Sequence, residues 1–283
     1  MPPFLAGREE ETAEFRRLLD QITILENLVL TGLRGVGKTV LLEAFKPLAI
    51  QEGWLWVGTD LSESASVSER SLAVRLMTDL SVVTSGMVVG QEQAAGFGAG
   101  STDITLDFAT LVGIFEGTPG LVADKLKAVL ELASRAVEAE GKRGVLFAYD
   151  EAQTLADGSQ ENEFPLSLLL DVFQSLQKRD VPFMLVLTGL PTLFPKLVEA
   201  RTFAERMFRV LVLDRLDDGS SREAIVEPIQ VAECPITFTD ESVETIVQES
   251  SGYPYFIQFI CREVYDSFIQ QIEHAGQAQP VPM

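Results

Sequence analysis

The run Gly32-Leu33-Arg34-Gly35-Val36-Gly37-Lys38-Thr39 has the residue types and spacing to hold phosphate. Its glycines let the backbone curl until successive N–H groups face an anion, and a helical pattern beginning there aims the positive end of its dipole at the same point. Lys38 then supplies a point charge to β- and γ-phosphates, and the Thr39 hydroxyl a ligand to Mg²⁺. The competing reading, a glycine-rich turn that matches by chance, is weakened by the apolar run Leu28-Val29-Leu30 before it and Val40-Leu41-Leu42 after it. A second group is Asp150-Glu151, directly after the apolar Val145-Leu146-Phe147-Ala148-Tyr149. Adjacent carboxylates at a buried strand's end are costly unless something there uses charge. In a magnesium-nucleotide site, Asp150 holds the metal directly or through water, and Glu151 polarises the attacking water as general base. The alternative is an acidic pair that caps a helix. Thr188, ending the run Pro182–Leu187, can hydrogen-bond a phosphate or its water, or simply close a strand-terminating turn. Arg201, Arg206 and Arg209 could each act as a finger on the transferring phosphoryl group, usually from a neighbouring subunit, or serve as surface ion pairs in an acidic protein.

Composition narrows the remaining chemistry. A single histidine, His274, excludes a histidine-rich metal site and argues against Ser-His or Cys-His catalysis. Cys234 and Cys261 stand far apart and are expected as reduced, mostly buried thiols. The formal charge of −20, from 42 acidic and 22 basic residues, repels phosphate backbones, so direct DNA binding by this chain is not expected. No apolar run reaches membrane-spanning length and Met1-Pro2-Pro3-Phe4 is unlike a signal peptide, so the expectation is a cytoplasmic protein without a membrane role.

These residues need elements to position them. Arg8–Asp20 has the spacing of an amphipathic helix, and the helix after the phosphate loop is expected to end near Pro47. Trp54–Val57 reads as a strand and Ser68–Leu80 as a helix. Gly86–Gly100, with five glycines, reads as a flexible loop, and Ile104, Leu106 and Phe108 as a strand or hairpin arm. This insertion, about 84–118, is either a mobile element for a partner or an insertion without a dedicated role. Leu121–Ala139 is an amphipathic helix, Val145–Tyr149 a strand buried on both faces, Leu166–Lys178 a helix, and Pro182–Leu187 and Phe208–Leu213 further strands. Alternating strands and helices imply an α/β, three-layer fold with a parallel sheet and a site at the strands' carboxyl ends. After Asp214 the pattern is helical only: Ser220–Val231, kinked at Pro228, then Asp240–Glu249 with Asp240 as N-cap, then Tyr255–His274. The expected organisation is a core at 1–215, a helical lid at 216–275 and a disordered tail at 276–283.

In this order the pieces resemble an AAA+ ATPase, of the branch that holds origin-recognition-type proteins and related prokaryotic ATPases. The resemblance runs from Phe4-Leu5-Ala6-Gly7-Arg8-Glu9 to the third lid helix. It makes Gly32–Thr39 a Walker A motif, with Val40 beside it, and Val145–Glu151, continuing as Ala152-Gln153, a Walker B motif. It makes Thr188 sensor 1, and Ala204-Glu205-Arg206-Met207-Phe208 the finger region with Arg206 the best candidate. Phe4, Gly7 and Arg8 would lie near an adenine, with Pro228, Tyr253 and Pro254 contributing from the lid.

Two departures bear on function. Where such lids commonly place a sensor 2 arginine, this chain has Gly252-Tyr253-Pro254-Tyr255-Phe256, and Arg262 lies about two turns further on. That pattern resembles signal-transduction ATPases that use nucleotide state as a switch. Relatives also often continue into a winged-helix domain, and these 283 residues end after the lid, so either the sequence is a piece or DNA contacts come from elsewhere. The resemblance implies ATP or ADP with Mg²⁺ as cofactors, and a second copy of the chain or another protein as partner. The function expected is a Mg-dependent ATPase acting as a nucleotide-driven switch or assembly motor subunit. Two alternatives are a nucleotide-stabilised adaptor with little turnover and the ATPase part of a DNA-associated loader.

Overall fold

The structure is a computed structural model, and it describes residues 4–93, 101–158, 162–234 and 236–275. The chain divides into two compact units. One is assembled from Met1–Glu14, Gly32–Ala44 and Val212–Met283, the other from Phe15–Thr31 and Phe45–Leu211.

The larger unit is built on a sheet of five strands: β1 (Asn27–Gly32), β2 (Trp54–Val57), β5 (Gly144–Tyr149), β6 (Phe183–Gly189) and β7 (Phe208–Leu213), in the order β2-β5-β6-β1-β7. The registered pairs β2–β5, β5–β6 and β1–β6 are all parallel. Every residue of β1, β5 and β6 is buried, as the continuous apolar runs require of central strands covered on both faces. β7 lies at an edge and is buried only at its ends, Phe208 and Leu213, with Arg209 and Val212 exposed between them. The helices that cover the sheet are α3 (Glu69–Thr84), α5 (Val122–Ala139) and α6 (Pro165–Gln177), whose buried residues join the strands in one core around Phe147, Phe173 and Phe183. Asn27, fully buried, ties strands together through its side chain. It accepts from Leu185 N at 2.8 Å and donates to Met207 O at 3.2 Å.

The described residues of the inserted region form more regular structure than their glycine content suggests. β3 (Val88–Gln93) pairs antiparallel with β4 (Ser101–Thr105), with a register shift between Val88 and Gly90. The expectation of a loop is thus corrected for 88–93, where a bulge broke the period-two pattern; residues 94–100 lie outside the described residues. Phe108 is not in a strand arm but opens α4 (Phe108–Gly117), capped by Asp107 accepting from Thr110 N. Leu106, Leu111 and Phe115 are buried in the core, and Thr84 Oγ1 donates to Leu106 O at 2.8 Å.

Pro47 does not end its helix: α2 runs Lys38–Gln51 through it. Pro47 is exposed, so water can reach the carbonyl that loses its amide partner, while buried Phe45 and Ala49 hold the helix on both sides.

The smaller unit holds α1's first residues (α1 is Glu9–Leu19), α9 (Asp218–Val231), α10 (Asp240–Ser250) and α11 (Pro254–Ala275). Its own core is Ala6, Leu216, Ile225, Val243, Ile246 and Ile257. α9 runs through Pro228, and Asp217 caps it. The cap of α10 is Thr239, not Asp240: the Thr239 hydroxyl accepts from Ser242 N at 3.2 Å, and Asp240 occupies the first turn, where its charge favours the dipole. The tail beyond residue 275 lies outside the described residues.

Candidate functional site

Between β1 and α2 the loop turns twice through the left-handed region, at Gly35 (φ 83°) and Gly37 (φ 93°), where a Cβ would be strained. This brings Val36 inward, almost fully buried, and leaves Leu33, Arg34 and Thr39 exposed. Lys38 is buried and its Nζ donates to the loop carbonyls of Gly32 at 3.0 Å and Leu33 at 2.9 Å. Its ammonium is thus held in the concavity of the loop, where an anion would meet it. The loop is braced by the rest of its unit. The Arg8 guanidinium, buried, donates to Val36 O at 3.0 Å and Asp214 O at 2.7 Å and pairs with Glu11 at 3.2 Å. The Tyr255 amide, in the first turn of α11, donates to Gly35 O at 3.1 Å. Gly7, at φ 59°, packs its backbone against Ser220, and Gly32 packs against Leu213.

A cavity of about 520 Å³ opens beside the loop in the same unit. Val36, Gly37 and Val40 form one wall; Phe4, Arg8, Leu216, Ile225, Pro228 and Ile257 belong to the others. Pro254 and Arg262 also face it, whereas Gly7 and Tyr253 do not. Cys234 and Cys261 line it as free thiols, and burial pushes the Cys261 thiol up to about 11. An apolar cavity beside an anion-binding loop suits a molecule with a flat apolar ring and a phosphate chain. Sequence reasoning named Phe4, Arg8, Pro228 and Pro254 for this place but missed Ile225, Ile257 and Cys261. Those three read as ordinary helix-face residues, with no local signal apart from their periodicity.

In the larger unit the strand ends gather the acidic pair with Thr188. Asp150, 4% exposed, accepts from the Glu151 amide at 2.7 Å and from the Thr188 hydroxyl. The residues after β2 continue the pairing, with Leu61 N donating to Asp150 O at 3.0 Å. Glu151 is exposed and has a left-handed backbone, φ 51°, which turns the chain out of the strand and is uncommon outside glycine. Gln153 donates to the Glu151 carboxylate and accepts from Leu190 N at 3.1 Å. Lys196 Nζ donates to Gln153 O at 2.7 Å; burial holds this ammonium below its ordinary value, with Asp157 opposing. Beneath the pair, the buried Tyr149 hydroxyl donates to Asp79 at 2.9 Å, and Asp79 also accepts from Arg75 at 2.9 Å. Burial raises the Asp79 carboxyl above its usual value, against those two partners, and burial beside Asp79 pushes Tyr149 well up. Arg206 lies exposed on the short helix α8 (Ala204–Met207), Arg209 is exposed on β7, and Arg201 is paired with Asp171 at 2.7 Å.

Among the described residues no group of three or more His, Cys, Asp or Glu side chains could hold a metal by itself. The two residues expected to ligate a metal each carry a hard oxygen: the exposed Thr39 hydroxyl in the smaller unit and the buried Asp150 carboxylate in the larger. Oxygen donors of this kind suit Mg²⁺, which takes one or two protein oxygens and fills its shell with phosphates and water.

A family model described as the AAA ATPase domain matches residues 5–198, more than half of the chain. The chain belongs to that family. Solved structures share the chain's fold over the helical segments as well. The Aeropyrum pernix ORC2 protein in ADPNP-ADP complexes matches with a TM-score of 0.61 at 14% identity, over 99% of this chain and 67% of that one. Cdc6p from Pyrobaculum aerophilum matches with a TM-score of 0.60 at 14% identity, over 98% of this chain, which spans 65% of Cdc6p. AMPPCP-bound DnaA from Aquifex aeolicus gives 0.52 at 14% identity, over 96% and 66%. No curated protein sequence matches the chain. Among the described residues no helix is long and apolar enough to cross a membrane.

Proposed function

We propose that this AAA ATPase domain binds ATP with Mg²⁺, hydrolyses it to ADP and phosphate, and works as a nucleotide-driven switch. One observation carries the reading: the loop that presents Lys38 and two left-handed glycines also forms a wall of the apolar cavity, so phosphates and base have adjoining places in one unit. In this reading Gly32–Thr39 and Val40 cradle the phosphates and Arg8, Pro228 and Pro254 set the base side, with Gly7 and Tyr253 acting from behind the cavity wall as the chain neighbours of Arg8 and Pro254. Lys38 leaves the Gly32 and Leu33 carbonyls for the phosphates. Thr39 and Asp150 hold Mg²⁺, which when bound neutralises phosphate charge and orients the chain of phosphates. Glu151 takes the proton of the attacking water, and Thr188, bonded to Asp150, keeps that carboxylate aligned. The phosphate–oxygen bond to ADP breaks as the new one to water oxygen forms, giving ADP and inorganic phosphate. Arg206, exposed, is the proposed finger toward a second copy of the chain. The cavity is lined by residues of segment 4–8, of the phosphate loop and of α9 and α11, so in this reading a bound nucleotide is felt by both helices. That supports a switch; the setting proposed with it is the cytoplasm, with a protein partner and, from the charge of −20, no direct DNA contact.

The test is phosphate release against nucleotide retention. Glu151→Gln should keep binding a fluorescent ATP analogue while turnover falls about 100-fold or more, and chelating the metal should stop the wild type. Unchanged turnover in Glu151→Gln would remove Glu151 from the mechanism. A folded wild type that holds nucleotide and releases no phosphate, alone or as a self-assembled oligomer, would leave an adaptor instead.

A further inference from the structure

We propose that Gln153 is a positioning residue that fixes the direction of the Glu151 carboxylate, and that it is itself set by the end of β6 and by α7 (Leu193–Ala200). The proposal rests on the reading of Glu151 as the base. Three contacts converge on this one side chain and its backbone: Gln153 Nε2 donates to Glu151 Oε2, Leu190 N donates to Gln153 Oε1 at 3.1 Å, and Lys196 Nζ donates to Gln153 O at 2.7 Å. The orientation of the amide is chemically forced. Leu190 N–H can only donate and a carboxylate can only accept, so a flipped amide would set N–H against N–H and oxygen against oxygen. Leu190 lies two residues after Thr188, whose hydroxyl reaches Asp150. The same strand end thus acts on both acidic residues, on Asp150 directly and on Glu151 through Gln153.

Glu151 needs such a partner more than an ordinary residue would. It is exposed and its left-handed backbone lifts it out of the strand, so the neighbouring core does not select its rotamer. A base that wanders among rotamers spends little time at the water it must deprotonate, and a misplacement of about 1 Å can cost about 100-fold in rate. The space for the brace is also built. A Cβ on Gly189 would lie 2.5 Å from Gln153 Oε1 and 2.9 Å from Leu193 Cδ2, so the amide occupies room that a side chain at 189 would take.

The experiment uses the full chain with Gln153→Glu and Gly189→Ala. Gln153→Glu keeps the length and the acceptor for Leu190 N–H but loses the donor and sets like charge beside Glu151. Its kcat should fall about 10–100-fold with KM for ATP within about twofold and no change in melting temperature. Gly189→Ala removes no hydrogen-bonding atom and should give the same split, more weakly. A readout free of turnover is the ¹⁵N-resolved side-chain amide signal of Gln153, assigned by its disappearance in Gln153→Glu, which should shift in Glu151→Ala. Wild-type kcat in a folded Gln153→Glu, or an amide signal indifferent to Glu151→Ala, would overturn the proposal. A wild type without phosphate release would overturn the ATPase reading instead, and the amide signal would still decide whether Gln153 holds Glu151.

Discussion

Replacing Arg8 by Met separates two roles, the contact with the base implied by the family resemblance and the support of the phosphate loop seen in the structure. Met keeps most of the apolar stem that lines the cavity and removes the guanidinium. In the structure that group makes a buried bond to Val36 O in the loop, a bond to Asp214 O, and an ion pair with Glu11. Hydrogen bonds from a charged donor contribute about 1.5–3 kcal/mol each. Asp214 is exposed, so water replaces most of what its carbonyl loses, and the Val36 bond dominates. A loop without its brace must be ordered when nucleotide arrives, which charges about 1.5–2 kcal/mol against binding and weakens Kd about 10–30-fold. Titration calorimetry with ADP reads the loss directly, and a thermal melt of the apo protein shows whether the chain remains folded. Arg8→Lys should recover only part of the affinity, because one ammonium cannot reproduce the planar fork that serves two carbonyls and a carboxylate. A folded Arg8→Met with a Kd for ADP within twofold of wild type would refute the reasoning.

Two further outcomes test the larger unit. Asn27→Leu leaves Leu185 N–H and Met207 C=O buried without their partner, at about 1–3 kcal/mol each, and should lower the melting temperature by about 5–15 °C; a drop below about 2 °C would show that neighbouring groups satisfy them. Asp79→Asn should change how stability depends on pH. Burial raises the Asp79 carboxyl in the folded state, so the native protein holds that proton more tightly than the unfolded chain, and stability erodes as pH rises from 3.8 through the folded value. The amide removes that erosion, so urea unfolding should show the variant gaining on the wild type as pH rises through that window, and parallel curves would exclude Asp79 as the source.

The parts of the fold legible in the sequence were those specified locally. The phosphate loop, the buried strands β1, β5 and β6 and the amphipathic α5 each carry their own pattern within a few residues. Elements without such a pattern were missed. α4 is apolar almost all round, so no stripe announced it, and α7 and α8 are too short for periodicity to build up. Thr239 lost to Asp240 as cap because both are good caps and adjacent. Pro47 was overvalued as a helix stop because its exposure cannot be read from the chain. For the candidate site, Lys38, Asp150, Glu151 and Thr188 were visible because each ends a strand or opens a helix. Gln153 falls in a recognisable motif but shows no role in the sequence, because its partners Leu190 and Lys196 lie 37 and 43 residues away.

The cavity beside the loop draws its walls from residues as far apart as Phe4 and Tyr265. That spacing has a consequence for the order of events on the ribosome. Strands β1, β2, β5 and β6 have all been synthesised by Gly189, so their sheet can form while the chain is still growing. The pocket cannot. Phe4 and Arg8, among the first residues made, must wait for α9 and α11 before the wall they belong to exists. During that interval the loop has neither Asp214 O to share Arg8 nor the Tyr255 amide on Gly35. A nascent chain cut at about residue 211 should therefore protect its sheet from protease and gain no further protection from added ADP.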